Sequence, residues 1–421
     1  MRRPLCAFCL SALGVLALCS FLPQMGLLLP SAAIFVVFCL LVWWRGGDAR
    51  GYAVCLLLGA VLGVGIMKTT GARLAKIQDA YAGKEVTLTA EVESTGRAYT
   101  AGRVSAVLMV EKVDGETVHF RVECASLPKC EAGGRIRGRF SLDVPDATQR
   151  LDDYADGIVL SAEYLSGMLR LGQSESFRAR TARLQAALSR ALRKGMAENT
   201  GGVLAAMVVG DRSHLTTTLR SAYRGAGLSH VLVVSGMHVS ILCGEVFRLD
   251  ARRKKERCYA ALRLRAVWKA LLALLLVGVT GFTPSVLRAA AAVWVSALGV
   301  WLYAPPDTLT SLAVAGIAMT AGSSYAVCDI GFELSFAAVL GTVAGGACIR
   351  RTRDAWYRQF WKNAKNPVKR PWYFKLPERL WGLAESICIS FCASVATFPV
   401  LVLRGLSVSI YAVASSVAVL W

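Results

Sequence analysis

From Pro4 to Trp44 the chain carries no charged residue, a run about twice the ~20 residues one helix needs to cross a bilayer. It must fold back, and Pro23, Gln24 and Gly26 mark the turn between two spans. Gly51 to Met67 supplies a third uncharged run. Met1, Arg2 and Arg3 ahead of an apolar stretch also fit a signal peptide. No small-residue cleavage site ends that stretch, however, and a second span follows directly.

After Met67 the period changes. Glu85 to Val92 alternates, with Val86, Leu88, Ala90 and Val92 on one face, and Val118 to Cys124 alternates in the same way. Asp114 and Gly115 end the run Val104 to Val113, the short-range signal for a tight hairpin. Two further strands are expected at Gly134 to Leu142 and Ile158 to Leu171. Five short strands in about a hundred residues suggest a small β barrel, OB-like in type. From Phe177 to Lys194 the spacing turns helical, with Leu184, Ala187, Leu188, Ala191 and Leu192 on one side and basic residues elsewhere. This predicts a basic amphipathic helix, lying on a membrane surface or packed against the bundle.

Seven more apolar segments follow, near Leu228–Phe247, Val267–Gly281, Ser285–Tyr303, Leu309–Val327, Gly331–Ile349, Leu383–Leu403 and Val408–Trp421. The fold class expected is therefore a polytopic α-helical membrane protein of about ten spans with an exported small β-barrel domain. Val203 to Val209 is expected as a surface or partly inserted helix. The expected organisation is a three-span anchor (1–67), an OB-like domain (68–175), the basic helix (176–200) and a channel domain (201–421).

Composition agrees with a membrane chain: 55% of the 421 residues are apolar and 18% are charged, against about 25% in soluble domains. The net charge of +20 fits either nucleic-acid contact or the positive-inside bias, and its location decides. Arg350 to Arg379 carries ten basic and two acidic residues, and Asp250 to Arg265 seven and two. With the N terminus cytoplasmic, ten spans put both basic loops inside and the β domain outside. Residues 68–175 hold 14 basic and 16 acidic residues, a near balance suited to export. Of the 13 Cys, only Cys124 and Cys130 fall in the exported part, where a disulfide between them is a candidate. No HExxH occurs, and no metal site and no cofactor are expected.

His214, His230 and His238 fall within 25 residues of one another. Ser235 and His238, three apart, share a helical face at membrane depth. They read as a hydrogen-bonded pair between helices, as the wall of a polar path, or as the nucleophile and base of an intramembrane hydrolase. The last lacks a Gly-x-Ser-x-Gly elbow. Arg288, Asp329, Glu333 and Arg404 lie at one level, the outer ends of their spans; they read either as mutually paired, since unpaired charges there are expensive, or as the mouth of a passage that opens outward. Trp356, Tyr357, Phe360, Trp361, Trp372, Tyr373 and Phe374 interleave with the basic residues of Arg350 to Arg379, as a strand-binding loop or as an interfacial aromatic belt.

The stretch GLSHVLVVSGMHV (Gly227 to Val239), with PSVLRA (Pro284 to Ala289), GFELSFAAVLG (Gly331 to Gly341) and ATFP (Ala396 to Pro399) in that order, resembles the ComEC-type competence proteins. The resemblance implies a bacterial inner-membrane channel that imports single-stranded transforming DNA, with no catalytic residue assigned. It marks Asp211, Gly227, His230, Ser235, Gly236, His238, Arg288, Gly331, Phe332, Glu333, Leu334, Ser335 and Pro399. It also implies a DNA receptor outside and a DNA-translocating ATPase inside. Many members carry a metallo-β-lactamase-like domain with a His-x-His-x-Asp motif; that motif is not in these residues, which fits a natural short form, a fragment, or one half of a split gene with a separate nuclease-like domain as partner. A transporter of another anionic solute is the alternative.

Overall fold

The structure, a computed structural model, describes residues 3–21, 28–44, 48–99, 103–128, 130, 132–147, 149–226, 239, 259–282, 284–303, 307–363 and 375–406. The helices are α1 (Pro4–Phe21), α2 (Leu28–Trp44), α3 (Asp48–Tyr81), α4 (Arg150–Ala155), α5 (Phe177–Arg193), α6 (Glu198–Val209), α7 (Thr217–Gly225), α8 (Tyr259–Val279), α9 (Pro284–Trp301), α10 (Thr308–Thr320), α11 (Ile330–Asn363) and α12 (Lys375–Leu403). The strands are β1 (Lys84–Tyr99), β2 (Arg103–Val113), β3 (Glu116–Pro128), β4 (Gly134–Asp143) and β5 (Ile158–Gln173). The strands, α1 to α6 and α8 to α10 belong to one compact unit; α7, α11 and α12 belong to a second.

The strands close a barrel in the order β1-β2-β3-β5-β4, with β1 antiparallel to β4 and β3 parallel to β5. This is the path of an OB-like barrel. The alternation read from the sequence fills it: Val86, Leu88, Ala90 and Val92 of β1 point inward with Leu108, Val110, Phe120, Val122, Phe140 and Leu160. Asp114 and Gly115 both take positive φ (48° and 99°), as the two-residue turn between right-twisted strands requires. The Asp114 carboxylate also accepts the Thr87 amide at 2.8 Å. Cys124 and Cys130 are free thiols, the first inside the core and the second half-buried against it.

Four helices among the described residues are long and apolar enough to cross a membrane: Pro4–Phe21, Ala49–Tyr81, Ile330–Trp356 and Trp381–Leu403. Shorter apolar helices are Ile34–Trp44, Ser285–Trp301 and Thr308–Thr320. The spans expected at 228–247, apart from Val239, and at 408–421 lie outside the described residues. Within the first unit α1 packs on α3 at two glycines four apart. A Cβ on Gly59 would stand 2.2 Å from the Phe8 carbonyl oxygen, and one on Gly63 would stand 2.8 Å from that of Ala12. Apolar helices in lipid gain little from burying one another, so such close backbone approach is a main source of adhesion.

Two expected boundaries move. The span ending at Met67 continues as one helix to Tyr81, because KTTGARLAKIQDAY contains no proline to interrupt the hydrogen-bond ladder. Tyr81 then stacks on Phe120 of the barrel, with ring centroids 5.7 Å apart. Likewise residues 350–363, read as the start of a basic loop, are the last turns of α11. The basic helix forms as expected over Phe177–Arg193 and packs on α6 and α8. Ser176 caps it by accepting the Ala179 amide, while Arg178 pairs with Glu93 of β1.

Candidate functional site

In the first unit Tyr154, on the short helix α4 between β4 and β5, ties the barrel to the helices. Its hydroxyl accepts Gln78 Nε2 of α3 at 2.8 Å, its carbonyl accepts Ser323 Oγ at 2.9 Å, and its ring lies 5.2 Å from that of Tyr325. Ser323 and Tyr325 belong to the 3₁₀ turn Ser324–Cys328 and its N-cap, which delivers Asp329. Asp329 Oδ2 stands 3.6 Å from Nη1 of Arg288, in the second turn of α9. That separation makes an ion pair without a hydrogen bond. Arg288 is only 6% exposed, and its Nε and Nη1 make no hydrogen bond within the described residues; Ser324 Oγ is likewise buried without one.

Carboxylates crowd the same junction. Asp156 is pushed up to about 6, first by burial and then by Asp329, against the pull of Arg121. Asp153 is also raised to about 6, by burial and then by Glu123, Asp156, Asp152 and Asp146. No local window of the chain reveals this seam, since nothing in such a window links Asp156 to Asp329.

Asp211 follows the left-handed cap Gly210 of α6. Its Oδ2 accepts Ser189 Oγ of α5, its Oδ1 accepts the amide and hydroxyl of Ser213, and His214 Nε2 is 3.8 Å away. Burial pushes this carboxyl up, but the hydrogen bonds from Ser189 and Ser213 outweigh it and leave it below the ordinary carboxylate value. The motif residue Asp211 is thereby the clamp that fixes α5 to the loop after α6.

In the second unit Glu333, in the first turn of α11, meets Arg404 just beyond α12. Arg404 Nη2 donates to Oε1 at 2.9 Å and Nε donates to Oε2 at 3.3 Å. Beside it Phe332 stacks on Phe336 with centroids 4.1 Å apart. Gly331, Leu334 and Ser335 lie on the first two turns of α11 and Pro399 lies inside α12. Arg353 Nη1 reaches Glu385 at 4.0 Å and Trp356 lies edge-on to Trp381 at 5.8 Å. The remaining motif residues, Gly227, His230, Ser235, Gly236 and His238, lie outside the described residues, as do Trp372, Tyr373 and Phe374.

On the barrel, Phe120, Phe140 and Tyr154 are buried, while Tyr81 and Tyr164 pack against the core. Several of its outward charges are mutually paired, Arg121 with Glu93, Arg135 with Glu111 and Arg139 with Glu85. Among the described side chains it presents no row of aromatic faces on which bases would stack.

Taken together, apolar helices of spanning length and a small β barrel define a helical membrane protein with an appended barrel. The family model described as "Competence protein" matches residues 207–421, just over half of the chain, and the chain belongs to that family. The family expected from the motifs is therefore the one found. A relative is ComE operon protein 3 of Bacillus subtilis (strain 168), 29% identical over 158 residues. The match covers 37% of this chain and 19% of that relative, so it spans about a fifth of the relative's length. No solved structure matches.

Proposed function

We propose that this chain forms the inner-membrane path by which single-stranded transforming DNA enters the bacterial cytoplasm during natural competence. The observation that carries the reading is the family match over residues 207–421, the part that holds the charged pairs at the ends of apolar helices. In this reading about ten spans cross the membrane with the N terminus cytoplasmic and the barrel outside. The domains run as 1–67, 68–175, 176–200 and 201–421. In this reading the family-motif residues His230, Ser235, His238, Arg288 and Glu333 serve passage of the strand.

The chain works with a DNA receptor outside and a DNA-translocating ATPase inside. An exported barrel also lets Cys124 and Cys130 close a disulfide. Cells lacking the protein should still bind double-stranded DNA at their surface and fail to internalise it. His238→Ala, which keeps helix propensity while removing a polar group, should reduce internalisation at normal protein level. Unchanged uptake of labelled DNA in the complete deletion would sink the reading and favour a carrier of another anionic solute.

A further inference from the structure

β5 outlasts the barrel that it helps to close. It pairs with β3 only over Ile158 to Ala162, whereas its pairing with β4 runs on to Gln173. Over that extension the inward positions Tyr164 and Met168 still pack against the core. The outward positions hold Leu165, Leu169 and Leu171, exposed by 42%, 60% and 51%. A solvated strand face would carry polar residues at these places. On the neighbouring strand Arg135, Arg137 and Arg139 take the alternate outward positions, with Arg137 paired opposite Leu169. Arg135 and Arg139 are held by Glu111 and Glu85, while the guanidinium of Arg137 has no ion pair or hydrogen bond among the described residues.

We propose that this outward face of the β4–β5 ribbon docks on the anionic phospholipid surface of the membrane, Leu165, Leu169 and Leu171 entering the headgroup layer and Arg137 meeting a lipid phosphate. Chain continuity places it there. Gly133 and Ser174, at the same end of the ribbon, hydrogen-bond each other, and α5 begins at Phe177, six residues beyond Leu171. α5 crosses the end of α8: a Cβ on Gly281 would stand 2.6 Å from Gln185, and the Phe177 and Phe282 rings are 6.1 Å apart. α8 in turn exposes Trp268, Leu271, Leu274 and Leu275, and α5 exposes Phe177 and Leu184. Leucine with arginine alongside is the pairing that anionic interfaces select.

A peptide strand adding to the free edge of β5 is the rival occupant, and the backbone disfavours it. Gly167 and Gly172 take φ of 72° and 109°, and the β4–β5 register slips at three places. Such irregular edges obstruct strand addition, whereas lipid requires no register.

The inference rests on the chain being embedded in a bilayer, and the test separates the two. A benzophenone photoprobe is placed at position 169, at position 57 in the apolar part of α3, or at position 119, exposed on β3. The full chain is reconstituted in phosphatidylcholine discs with or without phosphatidylglycerol, and lipid adducts are counted by mass spectrometry. Position 169 should yield severalfold more adduct than 119 and more again with phosphatidylglycerol, a gain that Arg137→Glu removes. Adduct at 57 with none above the 119 level at 169, or a peptide adduct at 169, overturns the docking alone. Loss of adduct at 57 overturns the embedding itself.

Discussion

Glu333 and Arg404 lock the first turn of α11 to the end of α12 through two parallel hydrogen bonds, 2.9 and 3.3 Å long. The carboxylate sits at a helix N-terminus and the guanidinium at a helix C-terminus, so each also complements the dipole of its own helix. Each side chain is only 18% exposed, so either one left alone would be a poorly solvated charge. Arg404→Ala should lower thermal stability in detergent by about 1–3 kcal/mol. Arg404→Lys, which keeps the charge and loses the fork, should fall between. The double variant Glu333→Gln with Arg404→Gln should recover part of the loss; strict additivity of the two single changes would show that the pair is not coupled.

A second prediction concerns the glycines that let α11 and α12 approach. A Cβ on Gly341 would lie 2.5 Å from the Cys392 carbonyl oxygen and 2.7 Å from the Ala393 Cα, both backbone atoms that cannot swing aside. Gly341→Ala should therefore push the helices apart and lower the melting temperature despite alanine's better helix propensity. At Gly346 the nearest atoms belong to the flexible Arg350 guanidinium, 3.2 Å away. Gly346→Ala should be neutral or stabilising by up to about 1 kcal/mol. Equal effects at the two positions would contradict the packing described.

Local pattern carried much of this fold, and its failures have a common cause. The period-two runs of β1 and β3 and the Asp114–Gly115 turn are properties of short windows, so the barrel was legible strand by strand. Pairing among Arg288, Asp329, Glu333 and Arg404 was one of two readings that the expense of lone charges in apolar helices allowed. Which partner each would take was not legible, because that depends on helix packing. The continuation of α11 past Arg350 was missed because basic charge was read as loop, although no glycine or proline interrupts RRTRDAWYRQFWKN. The Tyr154 junction joins residues 169 positions apart, beyond the reach of any window. Gly59 and Gly63 did leave a signal, two small residues four apart in an uncharged run.

The thiols of Cys124 and Cys130 offer a test of compartment. Burial pushes both up from their ordinary value, so neither should react readily with maleimide in the native barrel. If the barrel is exported and the bridge closes, labelling after denaturation should still require a reductant. The short loop limits the stabilisation to about 2 kcal/mol. Full labelling of both thiols in unreduced, denatured protein purified from membranes would rule the bridge out.

The carboxylate seam beside Tyr154 predicts how the attachment of the barrel responds to pH. Asp156 and Asp153 both titrate near 6 in the folded chain, above the roughly 3.9 of an unfolded aspartate. A carboxyl that holds its proton more tightly when folded contributes stability that is full below about pH 4 and is lost as the pH rises through about 6. Above that point Asp156 is ionised in a buried place, facing Asp329, Asp152 and Glu123, with Arg121 alone among its named neighbours attracting it. Asp156→Asn removes the charge and keeps the backbone carbonyl that accepts Arg121 Nη1 at 3.0 Å. The variant should therefore melt higher than the wild type at pH 8, and its advantage should shrink at pH 5, where the native carboxyl is largely protonated. Asp153→Asn should behave in the same sense, and because Asp156 raises Asp153 the double variant should gain less than the sum. Protease cutting between β4 and β5 gives an independent reading, since a loosened α4 exposes that segment, and it should be faster at pH 8 in the wild type than in Asp156→Asn. A melting difference that stays constant from pH 5 to pH 8 would mean that Asp156 does not titrate in this range, and the strain assigned to the seam would then have to lie elsewhere.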